Sequence, residues 1–192
     1  MSNTHSPDFL CNHGKQQSPV NIATQKALNC TKRLCDLSFY YKISDTCEIK
    51  HEKTDENYER VIVEMGKIGS YIIYNLIRYN LDRITFYTPS LHSIDDKHAD
   101  GEMLLYHSSA DSNHNVLVIS VLFTINETVT VNSRFYDMFM HFLPKQSDHK
   151  KIIDMKGKNW NIFYGLPKNK DFYSYEGSLI NNHCTEGVTW IV

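Results

Sequence analysis

The 192-residue chain has no excess of one charge, no long apolar run, and no low-complexity tract or linker. Its 20 Lys and Arg against 22 Asp and Glu give a formal net charge of −2, so no overall basic field attracts it to nucleic acid or an anionic membrane. No apolar stretch approaches the roughly 20 residues that a membrane-spanning helix needs. We therefore expect neither a nucleic-acid partner nor a transmembrane segment.

Two further patterns are missing. The segment Met1–Phe9 has neither the basic start nor the apolar stretch of a secretory signal, so the sequence indicates no compartment. The five cysteines include no CxxC pair, which argues against a structural zinc ribbon. Their odd number leaves at least one thiol unpaired within the chain, and spacing alone does not distinguish thiols from disulfides for the rest.

What the chain contains is typical of a single globular domain spanning residues 1–192. A chain of this length buries about 70% of its unfolded surface. Short segments rich in β-branched and aromatic residues predict strands, and aromatic residues at helical spacing predict one clear helix, Ser133–Leu143. The predicted strands are Leu37–Ile43, Arg60–Met65, Tyr71–Ile77, Arg83–Tyr87, Glu102–His107, Val116–Ile125 and Val188–Val192. The expected fold class is a β-dominated α+β domain.

Five segments, in the same order along the chain, resemble segments of the α-carbonic anhydrase family. They are Gln17–Ile22, Pro89–His98 together with Glu102–His107, Val116–Phe123, Gly165–Leu179, and Cys184–Val192. The resemblance implies the family's large central, mostly antiparallel twisted sheet with a few peripheral helices. Family members continue past the segment that matches Trp190–Val192. We therefore expect a fold truncated at its C-terminus, with a partner subunit or a second copy covering the open sheet edge.

The resemblance also locates the family's zinc site, and there the zinc-binding histidines are replaced. Where the family has His-Phe-His, this chain has Thr85, Phe86 and Tyr87, and the third ligand position is Leu104. Carbonic anhydrases are the standard example of catalytic zinc, in which three histidines and an open position lower the pKa of bound water to about 7. The resemblance thus implies an inactive homologue with no metal ligands, no cofactor and no catalytic residues.

The residues that support the zinc-bound hydroxide in the family are replaced as well. Leu91 stands at the position of a glutamate, and Ile180 at that of a threonine. Three other residues, Glu102, His92 and Tyr175, match family positions that hydrogen-bond to one another behind the metal. We expect them to form a buried polar network, because an unpaired carboxylate there would be costly.

Alternation along a strand places His107 on the face opposite Leu104. We therefore expect His107 to be a hydrogen-bonded core residue and not a replacement ligand.

The resemblance implies one disulfide. In many extracellular family members the positions of Cys11 and Cys184 are bridged, which ties the amino-terminal segment to the wall of the active site. Two reduced thiols are the alternative in a reducing compartment.

The leading functional interpretation is a non-catalytic binding or structural module, a subunit of a larger protein assembly or a homo-oligomer. The alternative is a virion or cell-surface attachment protein, because zinc-free family members include poxvirus envelope proteins that attach to glycosaminoglycans, and Ile180–His183 resembles that form. Sulfated glycans require a basic groove. The candidate residues, Lys150, Lys151, Lys156 and Lys158, also fit an ordinary solvated loop.

A second alternative is an active zinc-dependent carbonic anhydrase that hydrates CO₂, which would require other histidines to rebuild a site. The candidates His92, His98, His107, His114 and His183 contain no His-x-His pair. The space lined by Thr85, Tyr87, Tyr106 and Ile180 would either hold a small apolar ligand or be filled by its own side chains. Dense interior packing favours the filled state.

Overall fold

The computed structural model describes residues 9–30, 35–44, 46–55, 58–65, 69–111, 115–125, 135–137, 141, 150–154, 156–180 and 183–192. These residues are mainly strands, which confirms the β-dominated fold class. In chain order the elements are α1 (Phe9–His13), β1 (Asn21–Ile22), β2 (Leu37–Tyr40), β3 (Thr46–Asp55), β4 (Tyr58–Met65), β5 (Tyr71–Tyr74), β6 (Ile77–Thr88), β7 (Ser93–Ile94), β8 (Lys97–His98), β9 (Gly101–Ser109), β10 (Val116–Phe123), β11 (Lys150–Asp154), β12 (Ser174–Ser178) and β13 (Glu186–Ile191). Short 3-10 helices lie at Thr24–Lys26 and Ile162–Gly165.

Among the described residues, ten strands form one large sheet. Its main path runs β11-β3-β4-β6-β9-β10-β13-β12, while β5 pairs with the first half of β6 and β2 pairs with β5. Within this sheet β10 and β13 are parallel and the other described pairs are antiparallel. Strands β1, β7 and β8 form a small separate sheet. The large, mostly antiparallel sheet expected from the sequence is confirmed.

A row of aliphatic side chains crosses the sheet and forms the main core on one of its faces. Register places Ile49, Val63, Ile84, Leu105 and Ile119 side by side on five adjacent strands, and none is more than 4% exposed. Because side chains alternate along a strand, the residues next to them point to the other face. The candidate site lies on that other face.

The strand predicted over Tyr71–Ile77 was wrong in its boundary, because the chain turns back after Tyr74. Asn75 and Leu76 form the turn with φ of +50° and +69°, and Ile77 already begins the twelve-residue strand β6. Tight hairpin turns of this kind usually contain a glycine, which marks them in the sequence. Here a 90% exposed leucine takes the left-handed conformation, so the usual sequence signal is absent.

Strand β3 was missed because its solvent-facing positions are charged. Cys47 and Ile49 point inward, whereas Glu48 and Lys50 alternate with them on the outer side. Lys50 Nζ lies 3.2 Å from a Glu48 oxygen and 2.9 Å from an oxygen of Glu64 on the adjacent strand. The strand is therefore identified by cross-strand pairing and not by an apolar run.

The helix predicted over Ser133–Leu143 is only partly described. Residues 135–137 are helical, and the rest of the segment except residue 141 lies outside the described residues. The aromatic ring of Phe135 stacks on that of Trp160, with centroids 5.3 Å apart. In the part of the chain that the structure describes, no helix is long and apolar enough to cross a membrane.

His107 lies in the main core, away from the face that holds the expected metal positions. Its side chain is fully buried, and its Nε2 is 2.9 Å from the Tyr41 hydroxyl. Burial lowers the pKa of His107 to about 3, although the backbone carbonyls of Leu105 and Leu117 partly oppose the shift. The imidazole is therefore neutral at physiological pH.

This burial predicts a pH dependence of stability. Because the pKa of His107 is lower in the folded than in the unfolded chain, the unfolded chain takes up the proton first as the pH falls from about 6.5. We expect this residue to reduce the free energy of unfolding by up to about 1.4 kcal/mol per pH unit below that point. Urea unfolding at pH 7, 6, 5 and 4 measures the slope.

The matched variant is Tyr41→Phe/His107→Phe, which removes both polar groups together and should flatten the slope. Replacing the exposed His98 by Gln should leave it unchanged. An unaltered slope in the double variant would show that His107 does not carry the effect.

Candidate functional site

The three positions expected to bind zinc lie side by side on one face of the sheet. Thr85 of β6 is directly opposite Leu104 of β9, and Tyr87 is opposite Glu102. Thr85, Tyr87 and Leu104 are 3%, 5% and 0% exposed. The alignment with the family therefore brings the right positions together, but the atoms they offer are a hydroxyl, a phenol and a hydrocarbon.

These residues do not fit zinc. Protein zinc sites use imidazole nitrogen, thiolate sulfur or carboxylate oxygen, and Leu104 supplies none of them. Across the described ranges, no group of three or more His, Cys, Asp or Glu side chains is arranged to hold a metal ion. The side chains at the three positions therefore provide no metal centre for a reaction.

Two of the three positions, Tyr87 and Leu104, belong to a second apolar cluster on this face of the sheet. We call this set the site cluster: Tyr87, Leu104, Tyr106, Val118, Val188 and Trp190, with Leu91, Val116, Tyr175, Leu179 and Ile180 packed against it. Leu91 and Ile180, the two replacements of polar family residues, thus add apolar surface to it. Three of the four residues expected to line the space, Tyr87, Tyr106 and Ile180, pack within or against this cluster.

Tyr106 is covered from the solvent side by Arg83, a residue that the sequence analysis did not select. The two are cross-strand neighbours, and the guanidinium carbon lies 4.4 Å from the centre of the Tyr106 ring, within range of a cation–π contact. Burial raises the pKa of Tyr106 well above its ordinary value, an effect that the Tyr87 phenol adds to and that Arg83 opposes. Tyr106 therefore stays protonated and is no nucleophile at neutral pH.

Behind the site cluster, the fully buried Glu102 carboxylate has four hydrogen-bonding partners. Its Oε2 accepts from the backbone N–H groups of Leu91, at 2.7 Å, and His92, at 3.0 Å. Its Oε1 accepts from Ser120 Oγ at 2.7 Å and is 2.5 Å from His92 Nδ1. Burial pushes the pKa of Glu102 upward, but the bonds from His92 and Ser120 outweigh it, so the net pKa lies below its ordinary value.

The chain of hydrogen bonds continues outward from His92. Its Nε2 is 2.7 Å from the Tyr175 hydroxyl, which in turn hydrogen-bonds to Ser18 Oγ at 2.9 Å. Ser18 Oγ also accepts from the Ser178 backbone N–H at 3.1 Å. Hydrogen bonds thus join Glu102, His92 and Tyr175. The serines at both ends lie in the family-like segments Gln17–Ile22 and Val116–Phe123, but the resemblance gave them no role.

Of the remaining candidate histidines, the two that the structure describes, His98 and His183, belong to no group of three or more metal-ligating side chains. His98 Nδ1 is 2.8 Å from the Ser90 carbonyl oxygen, His183 is exposed in a turn, and His114 lies outside the described residues.

The cysteines form two disulfides among the described residues. Cys11 is bonded to Cys184, as the resemblance implied, with Cα atoms 5.1 Å apart. Cys30 is bonded to Cys35, a pair that spacing did not resolve. Cys47 is a buried free thiol, and burial raises its pKa to about 11.

The candidate polyanion-binding lysines lie in and after β11. Lys156 and Lys158 are exposed, and Lys158 Nζ donates to the Asp154 carbonyl oxygen at 2.9 Å. For Lys150 and Lys151 the structure describes the backbone, which belongs to β11, but not the side chains. Glycosaminoglycan binding stays a prediction.

The network around Glu102 should stabilise the fold. Glu102→Ala would leave the donors of Ser120, His92 and Leu91 buried without their acceptor, and loss of one partner of a buried ionic network typically costs about 3–5 kcal/mol. Glu102→Gln keeps an acceptor of the same shape and should lose less. Urea unfolding at pH 7 compares the two variants.

A comparison of wild type with Glu102→Gln tests whether the negative charge of Glu102 contributes to stability. Because the pKa of Glu102 is lowered on folding, its contribution is complete above the ordinary carboxyl pKa and is lost as the pH falls through the folded value. Wild type should therefore lose more stability than Glu102→Gln on going from pH 6 to pH 3. Equal losses would show that the pKa of Glu102 does not change on folding.

Comparison with known proteins agrees with this geometry. The chain matches the eukaryotic-type carbonic anhydrase family over residues 3–192. It is 28% identical over 185 residues to alpha carbonic anhydrase 3 of Arabidopsis thaliana, covering 95% of this chain and 61% of that protein. It is also 28% identical over 183 residues to dioscorin DB3S of Dioscorea polystachya, covering 95% and 63%. The chain thus spans about three-fifths of the length of these curated relatives.

Structural comparison leads to the same family. A hyperthermostable carbonic anhydrase identified from an active hydrothermal vent chimney superposes with a TM-score of 0.73 at 29% identity, covering 99% of this chain and 76% of that chain. Sequence and fold agree along nearly the whole chain, and the chain belongs to the α-carbonic anhydrase family.

Proposed function

We propose that this chain is a non-catalytic member of its family that acts as a binding or structural module within a larger protein assembly. The observation that carries the proposal is the set of donor atoms at the expected metal positions. Thr85, Tyr87 and Leu104 together hold no imidazole, thiolate or carboxylate, and all three are buried. Zinc held by fewer protein ligands than three would not match the catalytic sites known for this metal.

The chemistry of CO₂ hydration supports the same conclusion. Attack on CO₂ at neutral pH requires a hydroxide, and water without a metal has a pKa of about 15.7. Among the described side chains next to the site cluster, Tyr106 is held protonated and the Glu102 carboxylate is already engaged with four donors. Both ring nitrogens of His92 have hydrogen-bonding partners, Glu102 and Tyr175. Leu91 and Ile180 leave no polar pair to orient a water.

Zinc content and hydration rate test this part of the proposal. The native protein should contain far less than one zinc per chain by elemental analysis and should not accelerate CO₂ hydration in a stopped-flow assay. Thr85→His/Tyr87→His/Leu104→His, combined with Tyr106→Val to open space, should gain zinc because it restores three imidazoles on one face.

The restored variant serves as the positive control for metal binding. Hydration should stay weak even there, because Leu91 and Ile180 do not support the bound hydroxide and each lost supporting contact costs about 10–100-fold. One zinc per native chain, together with CO₂ hydration that a chelator abolishes, would show that the protein is an active carbonic anhydrase and contradict the proposal.

The open edge of β12 supports a role in assembly. No described strand pairs with its outer side. Tyr173 and Val192 exchange both backbone hydrogen bonds, so in the following residues Tyr175 and Gly177 bond to β13 while Ser174 and Glu176 direct their N–H and C=O groups outward. Such groups are satisfied by an added strand.

A groove of about 860 Å³ lies beside the start of β12. Its walls are the segment from Val20 to Cys30 on one side and Phe172–Tyr175 on the other. An extended strand of a partner protein laid in the groove would reach the outward-facing groups of Ser174. We therefore take β-strand addition at β12 as the form of the assembly.

Particle mass tests this second part. Light scattering on the native protein should give a mass well above the 22.4 kDa of one chain. Ser174→Pro deletes an outward N–H at the first residue of β12, where proline is tolerated, and should shift the mass towards the monomer. Ser174→Ala keeps the N–H and should assemble as wild type does.

The thermal midpoint of both variants serves as the control for folding. A monodisperse native monomer, or an assembly that Ser174→Pro leaves intact, would rule out strand addition at β12.

A further inference from the structure

The disulfide between Cys11 and Cys184 lies at the surface, where a reductant can reach it. Cys11 is exposed and Cys184 is half-buried. Residues 10–13, which make up most of α1, are all exposed. The disulfide ties them covalently to Cys184, which lies between β12 and β13.

Directly after α1, polar contacts hold the chain to the start of β13. The Gln16 backbone N–H donates to Glu186 Oε1 at 2.7 Å, and Gln17 Nε2 donates to the same oxygen at 3.0 Å. Gln17 Nε2 also reaches the carbonyl oxygen of Cys184 at 3.3 Å. These contacts are exposed or only partly buried, so water competes for each of them and each contributes little alone.

The next residue, Ser18, belongs to the hydrogen-bonded network that leads to Glu102. Ser18 N donates to Ser178 Oγ at 3.0 Å and Ser178 N donates to Ser18 Oγ at 3.1 Å. Ser18 Oγ is also the outer partner of the Tyr175 hydroxyl, which is bonded to His92. A continuous path thus runs from the exposed disulfide through Ser18 to the carboxylate of Glu102.

The chain is anchored again just beyond this segment. Asn21 and Ile22 of β1 pair with Ser93 and Ile94 of β7, and Thr24 is held by two hydrogen bonds from its backbone N–H and hydroxyl to Asp95. These contacts do not depend on the disulfide. Loss of the disulfide would therefore release residues 9–19 and leave β1 in place.

We infer that the Cys11–Cys184 disulfide is a redox-sensitive clamp that holds Ser18 against Tyr175 and so couples the thiol–disulfide state of the surroundings to the polar network behind the site cluster. Reduction opens it. A thiolate of a dithiol reductant attacks one sulfur of the disulfide, the S–S bond breaks, and the second thiol of the reductant resolves the mixed disulfide. The products are two cysteine thiols and the oxidised reductant, a transfer of two electrons and two protons.

The clamp is independent of whether the domain acts as an enzyme or as a binding module. With residues 9–19 released, Tyr175 and the Ser178 backbone N–H lose their outer partner, and the wall formed by β12 becomes looser. Leu179 and Ile180, which pack against the site cluster, lie directly after that strand. Reduction thus changes the surface formed by β12 and by Leu179 and Ile180, which follow it.

The test compares oxidised and dithiothreitol-reduced protein by two local probes. Trypsin cleavage after Lys15, which is exposed, reports release of the segment. Hydrogen exchange of residues 174–179 reports the wall, and exchange of β6 and β9 reports the whole domain. Reduction should raise both Lys15 cleavage and exchange of residues 174–179 by roughly tenfold or more, with β6 and β9 unchanged, as expected for local opening.

Two variants assign the effect to one disulfide. Cys11→Ser/Cys184→Ser should show the reduced behaviour without reductant. Cys30→Ser/Cys35→Ser should behave as wild type in both states, because that pair closes only a local loop.

Three results would overturn the inference. Unchanged cleavage and exchange after complete reduction would make the disulfide a passive link. Faster cleavage at Lys15 with no change at residues 174–179 would show that α1 is released without coupling to the network. Equal increases in β6, β9 and residues 174–179 would show global unfolding and not a local clamp.

Discussion

A buried carboxylate that must be satisfied organises this part of the domain. Glu102 lies on the central strand β9, and its four donors come from β10 and from the turn that carries Leu91 and His92. An ionised carboxylate is tolerated in such a place only when its acceptor sites are filled. The two carboxylate oxygens of Glu102 therefore position the turn after β6 and strand β10. Through His92 and Tyr175 they also position strand β12.

Glu102 of the polar network and Leu104 of the expected metal positions lie two residues apart on β9, and Tyr87 and Thr85 lie opposite them on β6. Thr85 and Leu104 face an apolar cluster, while Glu102, two residues before Leu104, keeps a full set of polar partners. Because an ionised Glu102 requires its donors whatever side chains stand at positions 85, 87 and 104, the network does not depend on metal ligands at those positions.

The sequence predicted the parts of this structure that depend on regular alternation or on extended segments of family resemblance. Strands β4, β9 and β10 are apolar on at least one face, and their positions followed from that pattern. Strand β3 and the turn at Asn75 did not, since the first is held by charged cross-strand pairs and the second has no glycine.

At the site, the resemblance located Thr85 and Glu102, but it gave no role to Arg83 or to Ser18, although Ser18 lies in the family-like segment Gln17–Ile22. Their roles arise from partners 23 and 157 residues away along the chain, Tyr106 and Tyr175 respectively. Pairings over such distances are set by strand register and not by local sequence. The disulfide at Cys184 has a related effect, because it joins residues separated by 173 positions and turns nearly the whole domain into a covalent ring. A single peptide cut inside that ring leaves the two fragments covalently joined for as long as the Cys11–Cys184 bond persists.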